Sequence, residues 1–130
     1  MSQVNQPAAS EEGEIIFLNV GGQYFLTRRS TLLQSDSFFA GVVRSNPTRT
    51  ELFIDRDPTY FRYVLNWMRG VKHLPDDESI LQELSWEADY FCMPQFHQAI
   101  ARTKNRYPSV RNALSTIHSD LLQISLPSTN

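Results

Sequence analysis

Apolar residues recur with two different periods along this chain, and each change of period marks an element. Residues 14–20 (EIIFLNV) and 23–27 (QYFLT) are rich in β-branched and aromatic side chains, as strands are. Gly21 and Gly22 stand between them and predict a tight hairpin turn, because glycine takes positive φ at both central positions without a Cβ clash. A phosphate-cradling loop would need a longer glycine pattern and its lysine, and the sequence has neither there. Ser30 is placed to cap a short turn through Leu33. Ser35 or Asp36 is placed to cap a helix bearing Phe38, Phe39, Val42 and Val43, with Phe38 and Val42 on one side. Asn46-Pro47-Thr48 breaks that helix, and residues 51–55 (ELFID) predict a third strand.

Asp57 as N-cap, with Pro58 in the first helical position, starts a helix that runs to Met68 and stops at Gly70. At about 100° per residue its apolar side chains, Tyr60 and Phe61 through Met68, fill an arc of roughly 200°, leaving Arg62, Asn66 and Arg69 for solvent. That arc is too wide for one packed stripe. Two arrangements satisfy it: a helix buried centrally in its own domain, or one whose Tyr60, Tyr63 and Trp67 lie near another chain, where large aromatics with a polar tip are favoured. Asp76, Asp77 and Glu78 put negative charge at the start of the next helix, where the macrodipole favours it, and Ile80, Leu81, Leu84, Ala88 and Phe91 form its stripe. Met93-Pro94 breaks that helix, and Pro94 opens a last one with Phe96 and Ile100 inward. The order β-β-α-α-β-α-α-α predicts an α+β domain: a short N-terminal hairpin and a third strand with a cluster of helices.

The flanks differ from this core. Residues 1–13 hold almost nothing to bury, so a disordered tail is expected there, the folded domain spanning 14–104. Residues 105–130 turn polar, yet Val110, Leu114, Ile117, Leu121 and Ile124 keep the alternating 4 and 3 spacing of a coiled-coil seam between Pro108 and Pro127. An amphipathic helix over 108–125 is one outcome of that spacing; a polar tail with coincidental spacing is the other.

Composition narrows the function. The 130 residues carry 12 Lys+Arg against 14 Asp+Glu, a net charge of -2, which disfavours nucleic acid as a partner. The longest apolar runs, such as residues 15–18, fall far short of the roughly 20 that cross a bilayer, so no membrane insertion is expected. The polar start does not resemble a secretory signal, and the single cysteine, Cys92, allows no intrachain disulfide; both fit a cytoplasmic location.

Catalytic patterns are missing. His73, His97 and His118 sit in no nucleophile-base motif, and one cysteine with scattered histidines falls short of a zinc set, so neither an enzyme, a metal site nor a cofactor is expected. Cys92, in the apolar string Tyr90-Phe91-Cys92-Met93, is expected to be a buried small hydrophobe. Asp55-Arg56-Asp57 is the densest charge group near apolar surroundings. Its carboxylates could serve acid-base work, but Asp57 as a cap, with Asp55 and Arg56 hydrogen-bonding at a contact surface, fits these residue types better.

Three strings in order, FLNVGGQYFLTRRSTLL, LFIDRDPTYFRYVLNWMRG and ELSWEADYF, resemble the BTB/POZ domain of the potassium-channel tetramerisation type over residues 15–101. The closest likeness is to soluble proteins with this domain, through the segment from Phe53 to Pro58. The resemblance implies a non-enzymatic interaction module forming rings of four or five copies, with Asp55, Arg56 and Asp57 at or near the subunit face. It implies a scaffold or an adaptor for a cullin-3 ubiquitin ligase, docking through the surroundings of Thr48 and Glu51 and of Leu74 and Ser79. A regulator that co-assembles with channel or related tetramerisation domains is the alternative. Some channel relatives hold zinc between subunits through a histidine and several cysteines, and this chain lacks the adjacent cysteine pair.

Overall fold

The computed structural model describes residues 13–106 together with 117, 118 and 121. Three strands, β1 (Ile15–Val20), β2 (Gln23–Arg28) and β3 (Glu51–Ile54), form one sheet in the order β2-β1-β3. Five helices pack against it: α1 (Arg29–Gln34), α2 (Phe38–Ser45), α3 (Phe61–Met68), α4 (Glu78–Tyr90) and α5 (Pro94–Arg106). The α+β order is the one the periodicity predicts, and α5 continues past the expected boundary at 104.

The hairpin is made by glycine geometry. Gly21 and Gly22 have φ of +56° and +103°, the positive pair a type I′ turn needs, and Gly22 N donates to Asn19 Oδ1 at 2.8 Å. Gly21 is required for a second reason: a Cβ there would collide with the carbonyl oxygen of Arg56. Gly21 N also donates to Ile54 O at 2.9 Å, so the turn fixes the end of β3 and the loop that follows it. β1 pairs antiparallel with β2 and parallel with β3, and the register sets Phe17 beside Leu26 and Glu51, and Asn19 beside Tyr24 and Phe53. Ile16, Leu18, Val20, Leu52 and Ile54 therefore share the inward face and are buried.

Helix ends depart from expectation where local hydrogen bonds compete. Asp57 does not cap a helix beginning at Pro58; α3 starts at Phe61, with Tyr60 in the cap position. The Asp57 carboxylate instead takes the amide of Thr59 at 2.8 Å and its hydroxyl, closing a turn of its own. Short-range bonds from Phe61 N to Pro58 O and from Tyr63 N to Tyr60 O follow before the regular ladder begins. At α2 the cap is Ser37, whose hydroxyl accepts from Phe39 N, in place of Ser35 or Asp36. α4 is capped by Asp77, which takes the amides of Ser79 and Ile80.

α3 and α4 end in the same way. After α3, Gly70 (φ +90°) donates to Trp67 O and Val71 to Asn66 O, a Schellman closure. After α4, Cys92 donates to Asp89 O and Met93 to Ala88 O, with Cys92 at φ +55° where glycine is usual. That conformation turns Cys92 outward, so it is exposed and not the buried hydrophobe its neighbours suggest.

The core lies between the inward sheet face and the helices. Phe39, Phe61, Phe91 and Phe96 are almost fully buried. Phe91 stacks on Phe38 and Phe39 at centroid distances of 5.5 and 5.2 Å, and Phe25 meets Phe61 edge-on at 5.0 Å. Each such pair contributes roughly 0.5–1.5 kcal/mol beyond area burial. Arg29 is the one buried charge in this core among the described residues; its Nη2 donates to Glu14 Oε1 and to Arg49 O, both at 2.8 Å, tying the starts of β1, α1 and β3 together.

Candidate interaction surface

The outward face of the sheet also carries many apolar residues, beside Asn19, Arg28 and Glu51. Ile15, Phe17, Tyr24, Leu26 and Phe53 all project from it, and Phe53 is 64% exposed. Tyr24 donates to Glu51 Oε2 at 2.7 Å, which, with the negative charge of Glu51, raises the Tyr24 pKa above its ordinary value. Sequence reasoning missed this face. The signal was present in β1, where Ile15, Ile16, Phe17 and Leu18 are apolar at consecutive positions and so load both sides of the strand.

A second surface lies where the loop after β3 meets α4. Arg56 Nη2 donates to Glu87 Oε2 at 2.5 Å, and its guanidinium carbon sits 4.3 Å from the Tyr90 ring centroid. This network is incomplete, since buried Arg56 Nε and Glu87 Oε1 have no partner among the described residues. Asp55 and Asp57 flank it, both exposed. The Thr59 hydroxyl and then the Thr59 amide hold the Asp57 carboxyl below its usual pKa. Along α4, Glu83, Trp86, Glu87 and Tyr90 follow at helical spacing on one side, and Trp86 is 56% exposed. Trp86 also escaped sequence reasoning; its displacement from the Leu81-Leu84-Ala88 stripe was the available clue.

Tyr60, Tyr63 and Trp67 are half-buried and pack on the core of their own chain. Trp67 lies 5.0 Å from the Phe96 ring and carries Lys72 Nζ 4.0 Å from its centroid. Thr48 and Glu51 are exposed at and before the start of β3. Leu74 is half-buried against the core, and Ser79 is exposed, donating to Asp77 at the start of α4. Of the C-terminal seam, Ile117 and Leu121 are helical and exposed, whereas Val110, Leu114 and Ile124 lie outside the described residues, as do residues 1–12.

Among the described residues no cluster of three or more His, Cys, Asp or Glu is placed to hold a metal ion, and no helix is long and apolar enough to cross a membrane. The pockets present are open grooves. One rich in aromatic side chains, about 360 Å³, runs along β3 between Phe38, Val42 and Tyr90.

A small sheet with apolar residues on both faces, and aromatic and charged groups at a helical corner, is the form of an interaction domain. The family model described as BTB/POZ domain matches residues 16–100, and the chain belongs to that family, in its potassium-channel tetramerisation type. Members of this group are generally protein-interaction and oligomerisation modules. The chain is similar to BTB/POZ domain-containing protein KCTD18 of Bos taurus, 37% identical over 93 residues, covering 67% of this chain and 22% of that protein. It is also similar to BTB/POZ domain-containing protein KCTD3 of Homo sapiens (41% over 90 residues, 65% of this chain and 11% of that protein). SH3KBP1-binding protein 1 of Mus musculus is 45% identical over 69 residues, 48% of this chain and 10% of that protein. The match thus spans about a fifth or less of the length of these relatives.

Proposed function

We propose that the chain assembles with copies of itself into a closed ring of four or five subunits in the cytoplasm, and that the ring acts as a scaffold or substrate adaptor. The observation that carries this is the contiguous exposed apolar sheet face of Ile15, Phe17, Tyr24, Leu26 and Phe53, the kind of patch that marks interaction sites. A ring of more than two copies needs two different surfaces that fit each other. The second is the corner of Asp55, Arg56 and Asp57 with Trp86 and Tyr90, whose unpartnered Arg56 Nε and Glu87 Oε1 a neighbour would satisfy. Tyr60, Tyr63 and Trp67, half-buried on their own core, would offer a neighbour the parts of their rings left open. Several copies of one face then turn weak single contacts into avidity.

Within this proposal the ring serves a cullin-3 ubiquitin ligase, docking through Thr48, Glu51, Leu74 and Ser79. A pulldown with purified cullin-3 tests that step: capture lost on Glu51→Lys supports it, and an empty pulldown leaves scaffolding alone. Light scattering at tens of micromolar tests the assembly itself, and a monomer mass contradicts it.

A further inference from the structure

We propose that the open edge of β3 is a second docking site, which takes a short extended peptide of a partner protein as a fourth, antiparallel strand. In the order β2-β1-β3, β3 has a neighbour on one side only. Phe17 N donates to Thr50 O at 2.8 Å and Gly21 N to Ile54 O at 2.9 Å, so the even-numbered residues of this stretch turn their peptide groups toward β1. Bonded residues alternate along a parallel strand, which leaves the N–H and C=O groups of Glu51 and Phe53 facing outward from the edge. Such an edge is a template for another chain unless it is blunted, and β3 carries neither lysine nor proline.

The edge has a groove to match. About 360 Å³ of open space lies between Phe38, Phe39 and Val42 on the helix side, Leu52 and Ile54 on the strand, and Tyr90. Arg49 precedes β3 and Asp55 follows it; both line the groove, both are exposed, and neither belongs to an ion pair among the described residues. Their order defines the occupant. An antiparallel strand, the more stable pairing per residue, sets a cation opposite Asp55 at its start and an anion opposite Arg49 at its end. Side chains directly opposite one another share a face. Positions facing Ile54, Leu52 and Thr50 therefore point toward the groove and suit apolar side chains, while those facing Phe53 and Glu51 point outward and suit polar ones. The added strand lies in the plane of the sheet, but Asp55 and Tyr90 at its groove also belong to the corner proposed for assembly, so particle mass is followed beside binding to separate peptide docking from a ring contact.

The test titrates the full chain with two seven-residue peptides of alternating valine and threonine. One has lysine first and glutamate last; the other has the two charges exchanged. Amide hydrogen exchange at Phe53 and particle mass are followed together. The lysine-first peptide is expected to bind saturably, about fivefold more tightly than its counterpart, and to slow exchange at Phe53. Phe53→Pro removes the outward donor at an edge position that tolerates proline, and should weaken binding about tenfold. Phe53→Thr keeps the donor and should bind, Asp55→Lys alone should abolish the preference between peptides because Arg49 remains, and Arg49→Asp with Asp55→Lys should reverse it. No saturable binding, equal binding of both peptides, an unprotected Phe53 amide or full binding by Phe53→Pro overturns the proposal. Binding seen only after the assembly is dissociated also overturns it, by giving the groove to a neighbouring copy.

Discussion

On the inward face of the sheet Ile16, Leu18 and Val20 have no exposure, whereas on the outward face Phe17, Leu26 and Phe53 are 40%, 49% and 64% exposed. Large apolar residues lie on both faces, the outward one also carrying Asn19, Arg28 and Glu51, and neighbours along one strand divide between them. Burial within the chain explains the inward set through the hydrophobic effect. It cannot explain the outward set, which gains little from folding alone. One strand thus serves two packing problems, the chain's own core on one side and association on the other, and the two respond to different measurements.

The largest effect separates the faces directly. Leu18→Ala is expected to cost about 2–5 kcal/mol in chemical denaturation, because it opens a cavity in a packed core. Phe17→Thr, one position earlier and still a good strand former, should leave single-chain stability within about 1 kcal/mol and reduce the particle mass instead. Equal loss of stability in both variants would erase the distinction. Gly21→Ala tests the turn that joins β1, β2 and the Arg56 loop. A Cβ at φ +56° strains the backbone and meets the Arg56 carbonyl, so a loss of about 2 kcal/mol or more is expected in the same denaturation assay.

Smaller effects come from helix ends, away from both faces. Cys92→Gly removes the strain of a side chain in the left-handed region and should stabilise by about 1 kcal/mol, read as a raised denaturation midpoint. The Ser79 hydroxyl, then the amides of Ile80 and Ser79, lower the Asp77 pKa below its ordinary 3.8. The folded-state value is the depressed one, so this contribution is complete above the ordinary value and is lost as pH falls through the lowered one. Wild type and Asp77→Ala should therefore differ in denaturation midpoint at neutral pH and converge in acid below about pH 4. A gap that persists in acid would contradict the cap.

Fold class and element order were legible because the period changes are clear and Gly21-Gly22 fits few other structures. Helix starts were less so. Asp57-Pro58 has the composition of a helix start, but the neighbouring Thr59 offers the carboxylate a closer pair of donors, and the helix waits until Phe61. Cys92 was misread because its neighbours in sequence are apolar, while its exposure follows from ending a helix without glycine. The outward sheet face was hidden for another reason: consecutive apolar residues in a strand look the same whether helices or another chain cover the second side. Trp86 and Glu87, which complete the corner around Arg56, come together with it only through the packing of α4 beside the loop after β3, across 31 residues of sequence.

The most direct measurement is the native mass of the full chain beside that of a Phe17→Thr, Phe53→Thr double variant. The account predicts four or five copies for the native chain and a single folded copy for the variant. A native chain that is already single, or a variant whose mass is unchanged, would contradict it.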